Sequence, residues 1–153
     1  MIENTDFITP LKQAVDKIAN NFKIDNFNAL PDSPFGTTNF FLKAHLIIII
    51  GIIGPCRGRI MFSFNNNMSE ELTKNMTGSN EINKELMYSA CQEFTNMVCG
   101  ATICNKSMDS NIDITPPTVI FSNKMFISSM GTPIHLVPFE INSKRLNVLI
   151  SVK

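Results

Sequence analysis

The stretch LIIIIGIIG, Leu46 to Gly54, limits the fold more than any other part of the chain. It is too short for a membrane helix, which needs about 20 apolar residues. Its isoleucines are branched at Cβ, a shape that crowds a helix and packs well on a pleated surface. A run this apolar predicts a central strand over Ala44 to Ile53, buried on both faces of a sheet. Gly54-Pro55 to Gly58 then turns the chain, and Arg59 to Phe64 returns as the second arm of a β-hairpin. The chain has 153 residues, 44% hydrophobic and 17% charged, which predicts one domain with a real core over residues 1–153.

The remaining elements follow from period and punctuation. Thr9-Pro10 reads as an N-cap and first helical position. Leu11, Ala14, Val15, Ile18, Ala19 and Phe22 keep helical spacing after it, and Thr5 to Ile8 could add a turn. Residues Lys23 to Phe41, with Pro31, Pro34 and Gly36, predict an irregular strand and a loop. Asn65 to Gly78 carries a short helix, with Ser69 as its cap, Leu72 and Met76 facing inward and Gly78 at its end. A long helix is expected from Ser79 or Asn80 to about Met108, with a polar exit loop over Asn105 to Asn111.

Then the period shortens. Ile112, Ile114, Val119 and Phe121 predict a strand interrupted at Pro116-Pro117, and Met125 to Met130 another short one. Ile134 to Ile141 and Arg145 to Lys153 form a terminal hairpin around Asn142-Ser143. In its second arm Leu146, Val148, Ile150 and Val152 alternate with Asn147 and Ser151, so one face is buried. Together these predict an α+β fold, a two-layer sandwich of a largely antiparallel sheet packed against helices.

Composition narrows the function. The formal net charge is zero, so no basic excess is present to neutralise phosphates. Trp is absent and Tyr occurs once, which removes the usual base-stacking platforms. No nucleic-acid and no membrane partner is expected. MIENTDF has neither a basic flank nor an apolar core, so no secretory signal is expected there. Cys56, Cys91, Cys99 and Cys104 form no C-x-x-C pair and read as small, mostly buried thiols of a reducing cytoplasm. His45 and His135 each stand alone, which predicts structural or surface roles and no metal site. Asp32 and Asp113 have no acidic partner nearby in sequence, so a paired-carboxylate site is unsupported. The phosphate loop, the dinucleotide fingerprint and the nucleophile elbow are all missing.

What remains is the long helix. Ile82, Leu86, Ala90, Phe94, Met97, Val98 and Ala101 recur at steps of three and four and form one apolar stripe. Ser89, Glu93, Asn96 and Gly100 recur at the same steps as a narrower polar one. Glu93 can accept hydrogen bonds or pair with a partner's cation, and Asn96 can donate and accept at once. Ser89 could orient Glu93 or touch a partner, and Gly100 keeps side-chain bulk out of the approach. A solvated face held by local side-chain pairs has the same spacing. The residues alone imply a polar face able to orient water or dock a partner.

The order Ser89-x-x-x-Glu93-x-x-Asn96, with Pro117 some twenty residues on, resembles the signature of the CheC, CheX and FliY phosphatases of bacterial chemotaxis. Thr9-Pro10, the strand PPTVIFS from Pro116 to Ser122 and the string LVPFE from Leu136 to Glu140 are similar to the CheX branch in particular. No second Glu-x-x-Asn occurs, which also resembles CheX rather than the two-copy CheC pattern. The first residue is Ser89 rather than Asp, which the family allows, and the gap to the proline is slightly short.

The resemblance implies a hydrolase acting on the aspartyl phosphate of phosphorylated CheY or a related receiver domain. Asn96 would orient the attacking water and Glu93 would pair with the receiver's lysine, with Ser89 and Gly100 at the partner surface. No cofactor would be bound by this chain, since the receiver supplies the Mg²⁺. Phosphoryl transfer depends mainly on positioning and charge neutralisation, so such a catalyst needs no nucleophile of its own. The family also implies a homodimer joined through its sheets, and the apolar C-terminal strands suit either that or an ordinary edge. The alternative is a non-catalytic receiver-binding or flagellar adaptor module of the same fold.

Overall fold

The structure, a computed structural model, describes residues 2–31, 36–106, 111–129 and 131–153. The apolar run is strand β3 (Leu46–Ile53), paired antiparallel with β4 (Gly58–Phe64) so that Leu46 faces Phe64 and Ile50 faces Ile60. Beyond β4 lie β9 (Lys144–Val152), β8 (His135–Ile141) and, at the far edge, β1 (Phe27–Ala29). The other flank of β3 is taken by two short strands in succession, β5 (Asp113–Ile114) and β6 (Thr118–Phe121). All these pairings are antiparallel. The break between β5 and β6 falls where two prolines lack the N–H groups a ladder needs. Thr115, just before them, exchanges hydrogen bonds with Gly51 through its Oγ1 (2.8 Å) and its backbone N (2.9 Å).

Helices α1 (Thr5–Asn21), α2 (Asn66–Thr77) and α3 (Lys84–Lys106) supply the second layer. Alternation in the strands sends Ile48, Ile50, Phe62, Phe64, Val148 and Ile150 to that side. There they join Phe7, Leu11, Val15 and Ile18 of α1 and Cys91, Phe94 and Val98 of α3 in one buried core. The reverse face carries Ile47, Met61 and Leu149. These are covered by Leu42 and Ile127 of a separate two-stranded ribbon, β2 (Asn39–Leu42) with β7 (Met125–Ser128).

Several sequence expectations are corrected here. The last strand has two buried faces over much of its length, because the ribbon side covers Leu149, and Ser151 is buried too. That strand is also paired on both sides, with β4 and β8, so it offers no free edge to a second copy. Helix α1 begins at Thr5, which places Pro10 inside it. The proline falls early in the helix, where its missing N–H leaves only the carbonyl of exposed Asp6 without its usual donor.

Asn65, not Ser69, caps α2, its Oδ1 accepting from Met68 N at 2.7 Å. Ser69 is instead buried inside the helix, donating to Asn65 O at 2.9 Å. Gly78 ends α2 as expected, at φ +70°, a left-handed position that costs glycine little. Helix α3 starts later than Ser79, because Asn83 Oδ1 accepts from Leu86 N at 2.8 Å while Ser79 Oγ turns to Glu81. The expected helix end at Met108, the strand end at Met130 and Asp32 lie outside the described residues.

Asn4 joins the end of α1 to the sheet. It is buried, its Nδ2 donates to Pro133 O at 2.6 Å and meets His135 Nδ1 at 2.9 Å, and its Oδ1 accepts from Val152 N at 2.6 Å. Asn4→Ala strands the buried Val152 N–H and is expected to lower stability by about 2 kcal/mol. A urea midpoint equal to that of the wild type would contradict this.

Candidate functional site

Helix α3 is held by one face. Met87, Cys91, Phe94, Val98 and Cys99 are buried on it, together with Thr95 and Thr102. The two threonines bring no unmet polarity, since their Oγ1 atoms donate back to Cys91 O (2.8 Å) and Val98 O (2.7 Å). The buried stripe is therefore rotated from the one expected. Leu86, Met97 and Ala101 are half-buried flanks, and Ile82 lies before the helix. Burial pushes the Cys91 thiol up to about 12, against a weaker opposite pull from Ser69, and pushes Cys99 up as well. Neither offers a thiolate at neutral pH. Cys104, expected among mostly buried thiols, is exposed.

The opposite side of α3 carries the polar stripe. Ser89, Glu93 and Asn96 are exposed, on the open side of the helix. They line, with half-buried Gln92 and Pro117, an open groove of about 460 Å³. One wall is α3 and the other is the proline break before β6. Among the described residues no side chain of this chain bonds or pairs with Glu93 or Asn96. Glu93 is the one charged residue of the lining. A carboxylate and a carboxamide a turn apart, unpaired and held on a rigid helix, are free to engage a second molecule.

Gly100 does not line the groove. A Cβ at this position would meet nothing within 4 Å. Gly100→Ala is therefore expected to raise stability by about 1 kcal/mol through helix propensity. A thermal midpoint that stays level or falls would contradict that.

Sequence reasoning overlooked Gln92. The signal was present: it stands three residues after Ser89 and four before Asn96, the same spacing that aligns the others. The other titratable candidates lie elsewhere. His135 meets Asn4, Asp113 Oδ1 accepts from Ile114 N at 2.8 Å, and His45 precedes β3 with its Nε2 buried and without a hydrogen-bond partner among the described residues. No three His, Cys, Asp or Glu side chains converge among the described residues. The groove offers one carboxylate, two carboxamides and a hydroxyl, a poor set for an octahedral Mg²⁺ site.

Comparison with known proteins bears on this arrangement. Residues 46–140 match the family model described as chemotaxis phosphatase CheX. The chain is 31% identical over 123 residues to a CheY-P phosphatase CheX of Thermotoga maritima, covering 78% of this chain and 79% of that one. In fold it is similar to a chemotaxis protein CheX of Desulfovibrio desulfuricans, with TM-score 0.80, 21% identity and coverage of 96% and 99% of the two chains. It is equally similar in fold to a chain of the CheX–CheY–BeF3–Mg²⁺ complex of Borrelia burgdorferi, with TM-score 0.80, 20% identity and coverage of 96% and 97%. These neighbours share the antiparallel sheet and helical layer.

Proposed function

The chain belongs to the chemotaxis phosphatase CheX family, and from that premise we propose that it hydrolyses the aspartyl phosphate of a phosphorylated CheY-type receiver. The observation that carries this reading is the exposed Glu93 and Asn96 pair, without partners in the described chain, beside Pro117 on a helix anchored by its other face. α3 docks against the receiver's phosphorylated site. The Asn96 carboxamide holds a water in line with the phosphorus. That water attacks, the bond from phosphorus to the aspartyl oxygen breaks, and inorganic phosphate and a free carboxylate result. Glu93 pairs with the receiver's lysine and sets the approach, Ser89 shapes the contact from the groove wall, and Gly100, one turn beyond Asn96 and outside the groove, leaves the receiver room to approach.

The receiver, not this chain, holds the Mg²⁺ that neutralises phosphoryl charge, in keeping with the groove's poor donor set. A relative's complex, named for CheX, CheY, BeF3 and Mg²⁺, supports this division of labour. Orientation of a water ahead of reaction is itself a large effect, since the entropy of placing it is lost before the chemical step.

A cytoplasmic location belongs to the same reading. It is supported by the free thiols Cys91, Cys99 and Cys104, which suit a reducing compartment. No helix among the described residues is long and apolar enough to cross a membrane. The homodimer implied by the family is proposed as well. The surface that supports it is the ribbon, where the facing pair Phe41 and Phe126 are each 61% exposed with ring centroids 6.2 Å apart. A monomer by light scattering at micromolar concentration would contradict it.

The test of the activity is phosphate release from a phosphorylated receiver in Mg²⁺, with and without the chain. Acceleration supports the phosphatase. Binding of the receiver without acceleration would make the chain the adaptor module instead. Glu93→Ala is expected to weaken docking at least about tenfold, the order seen when one member of a close charge pair is removed.

A further inference from the structure

We propose that Tyr88 and Phe121 form an apolar anchor for the receiver at one end of the groove, beyond the Glu93 and Asn96 machinery. This rests on the docking mode proposed above. Phe121 closes β6 and is 54% exposed, an uncommon position for a phenylalanine. Its orientation follows from the strand. Val119 packs into the main core on the helix side, and Ile120 packs against the cluster on the ribbon side. Phe121, two residues after Val119, therefore faces the helices. There its ring meets Tyr88 of α3 at a centroid distance of 4.4 Å. The two rings bridge the same two elements that wall the groove, with Tyr88 next to Ser89 and Pro117 just before β6.

Interface geometry identifies the occupant. Tyr88 and Asn96 are separated along α3 by about 12 Å at the usual helical rise. An ordinary protein interface buries about 800 Å² per partner, a disc of about 16 Å radius. A receiver that brings its phosphate to Asn96 therefore covers the rings as well. Four of the five residues lining the open groove carry polar side chains, and Pro117 alone is apolar, so the groove has no aromatic anchor of its own. Aromatic side chains dominate binding energy where they become fully desolvated. The partner chemistry that fits is an apolar side chain on the receiver, about 12 Å from its acyl phosphate. Receivers with a charged or small residue at that place are discriminated against, so the pair acts as a specificity determinant and not as a catalytic group.

The test separates docking from chemistry. Phe121→Thr keeps strand propensity and removes the ring; Tyr88→Ala keeps helix propensity and removes the other. Initial rates are measured against concentration of phosphorylated receiver, and binding is titrated with a BeF3-treated receiver. Each variant is expected to raise the half-saturating concentration and the Kd about tenfold, with the maximal rate unchanged. Unchanged half-saturation and Kd in both variants overturns the anchor, as does a fall in maximal rate alone. If only one variant folds, its result decides. If the wild type binds the receiver but does not accelerate hydrolysis, the phosphatase reading fails, and the titration alone still decides the anchor by the same shift.

Discussion

Phe94→Ala is expected to cost about 4 kcal/mol of folding stability, the range for emptying a phenylalanine site in a core. Phe94 is fully buried. Its ring stacks on Phe27 of β1 (5.8 Å, 16°) and meets Phe62 of β4 edge-on (6.5 Å, 82°), while Phe27 in turn meets Phe139 of β8 (6.1 Å, 81°). The ring thus ties α3 to β1 and β4 directly and to β8 through Phe27, and in so closely packed a cluster no side chain can swing in to fill its space. Domains of this size are held by roughly 5–15 kcal/mol, so the loss takes a large part of the total. Glu93 is adjacent in sequence and Asn96 two residues on, both on the opposite side of the helix. Activity should therefore fall in step with unfolding. Equilibrium denaturation checks this, and a loss below about 1 kcal/mol would show that the cluster does not anchor the helix.

Asn96→Ala should do the reverse. The side chain is exposed, and no partner for it is found among the described residues, so its removal leaves no cavity and no orphaned group. Alanine is also the better helix former, by a few tenths of a kcal/mol. Stability should hold or rise slightly. The proposed chemistry is lost, because a methyl group cannot orient water. The fall in maximal rate should be at least about a hundredfold, the usual consequence of misplacing one reacting group. Asn96→Asp is expected to fail as well, since a second carboxylate would repel the anionic acyl phosphate and lacks the N–H donors of the carboxamide. Receiver binding by Asn96→Ala should stay within about threefold, because the affinity is attributed to Glu93 and the surrounding contacts.

Much of the sheet was legible in the sequence. The β3–β4 hairpin and the terminal hairpin followed from β-branched runs and from Asn142-Ser143, whose φ values of 47° and 67° are those of a tight hairpin turn. One strand of the ribbon, β7, lies within the stretch expected from Met125 to Met130, but its partner was not foreseen: pairing residues 39–42 with 125–128 is a long-range choice that no local pattern in residues 39–42 announces. With that pairing unforeseen, burial of Leu149 was unforeseen too. Caps failed for a different reason. Asn65 and Ser69, or Ser79 and Asn83, are rival caps of nearly equal propensity, and tertiary packing chose between them.

The candidate site was legible as a helical face, since Ser89, Glu93 and Asn96 keep one spacing and are indeed on one exposed side. Gln92 was hidden by attention to the Glu-x-x-Asn pair. Pro117 entered only through a family signature, because its place opposite α3 depends on how β6 pairs with β3. The chemistry could not have been read from spacing, as the proposed site works on groups that another protein brings.

One measurement tests the central claim most directly. A receiver is phosphorylated, freed of phosphodonor and mixed in Mg²⁺ with a saturating excess of the chain, and loss of its acyl phosphate is followed in a single turnover. The wild type should speed that loss well beyond the receiver's own decay, and equally saturating Asn96→Ala should return it to that decay. Equal acceleration by both forms would contradict the role assigned to Asn96.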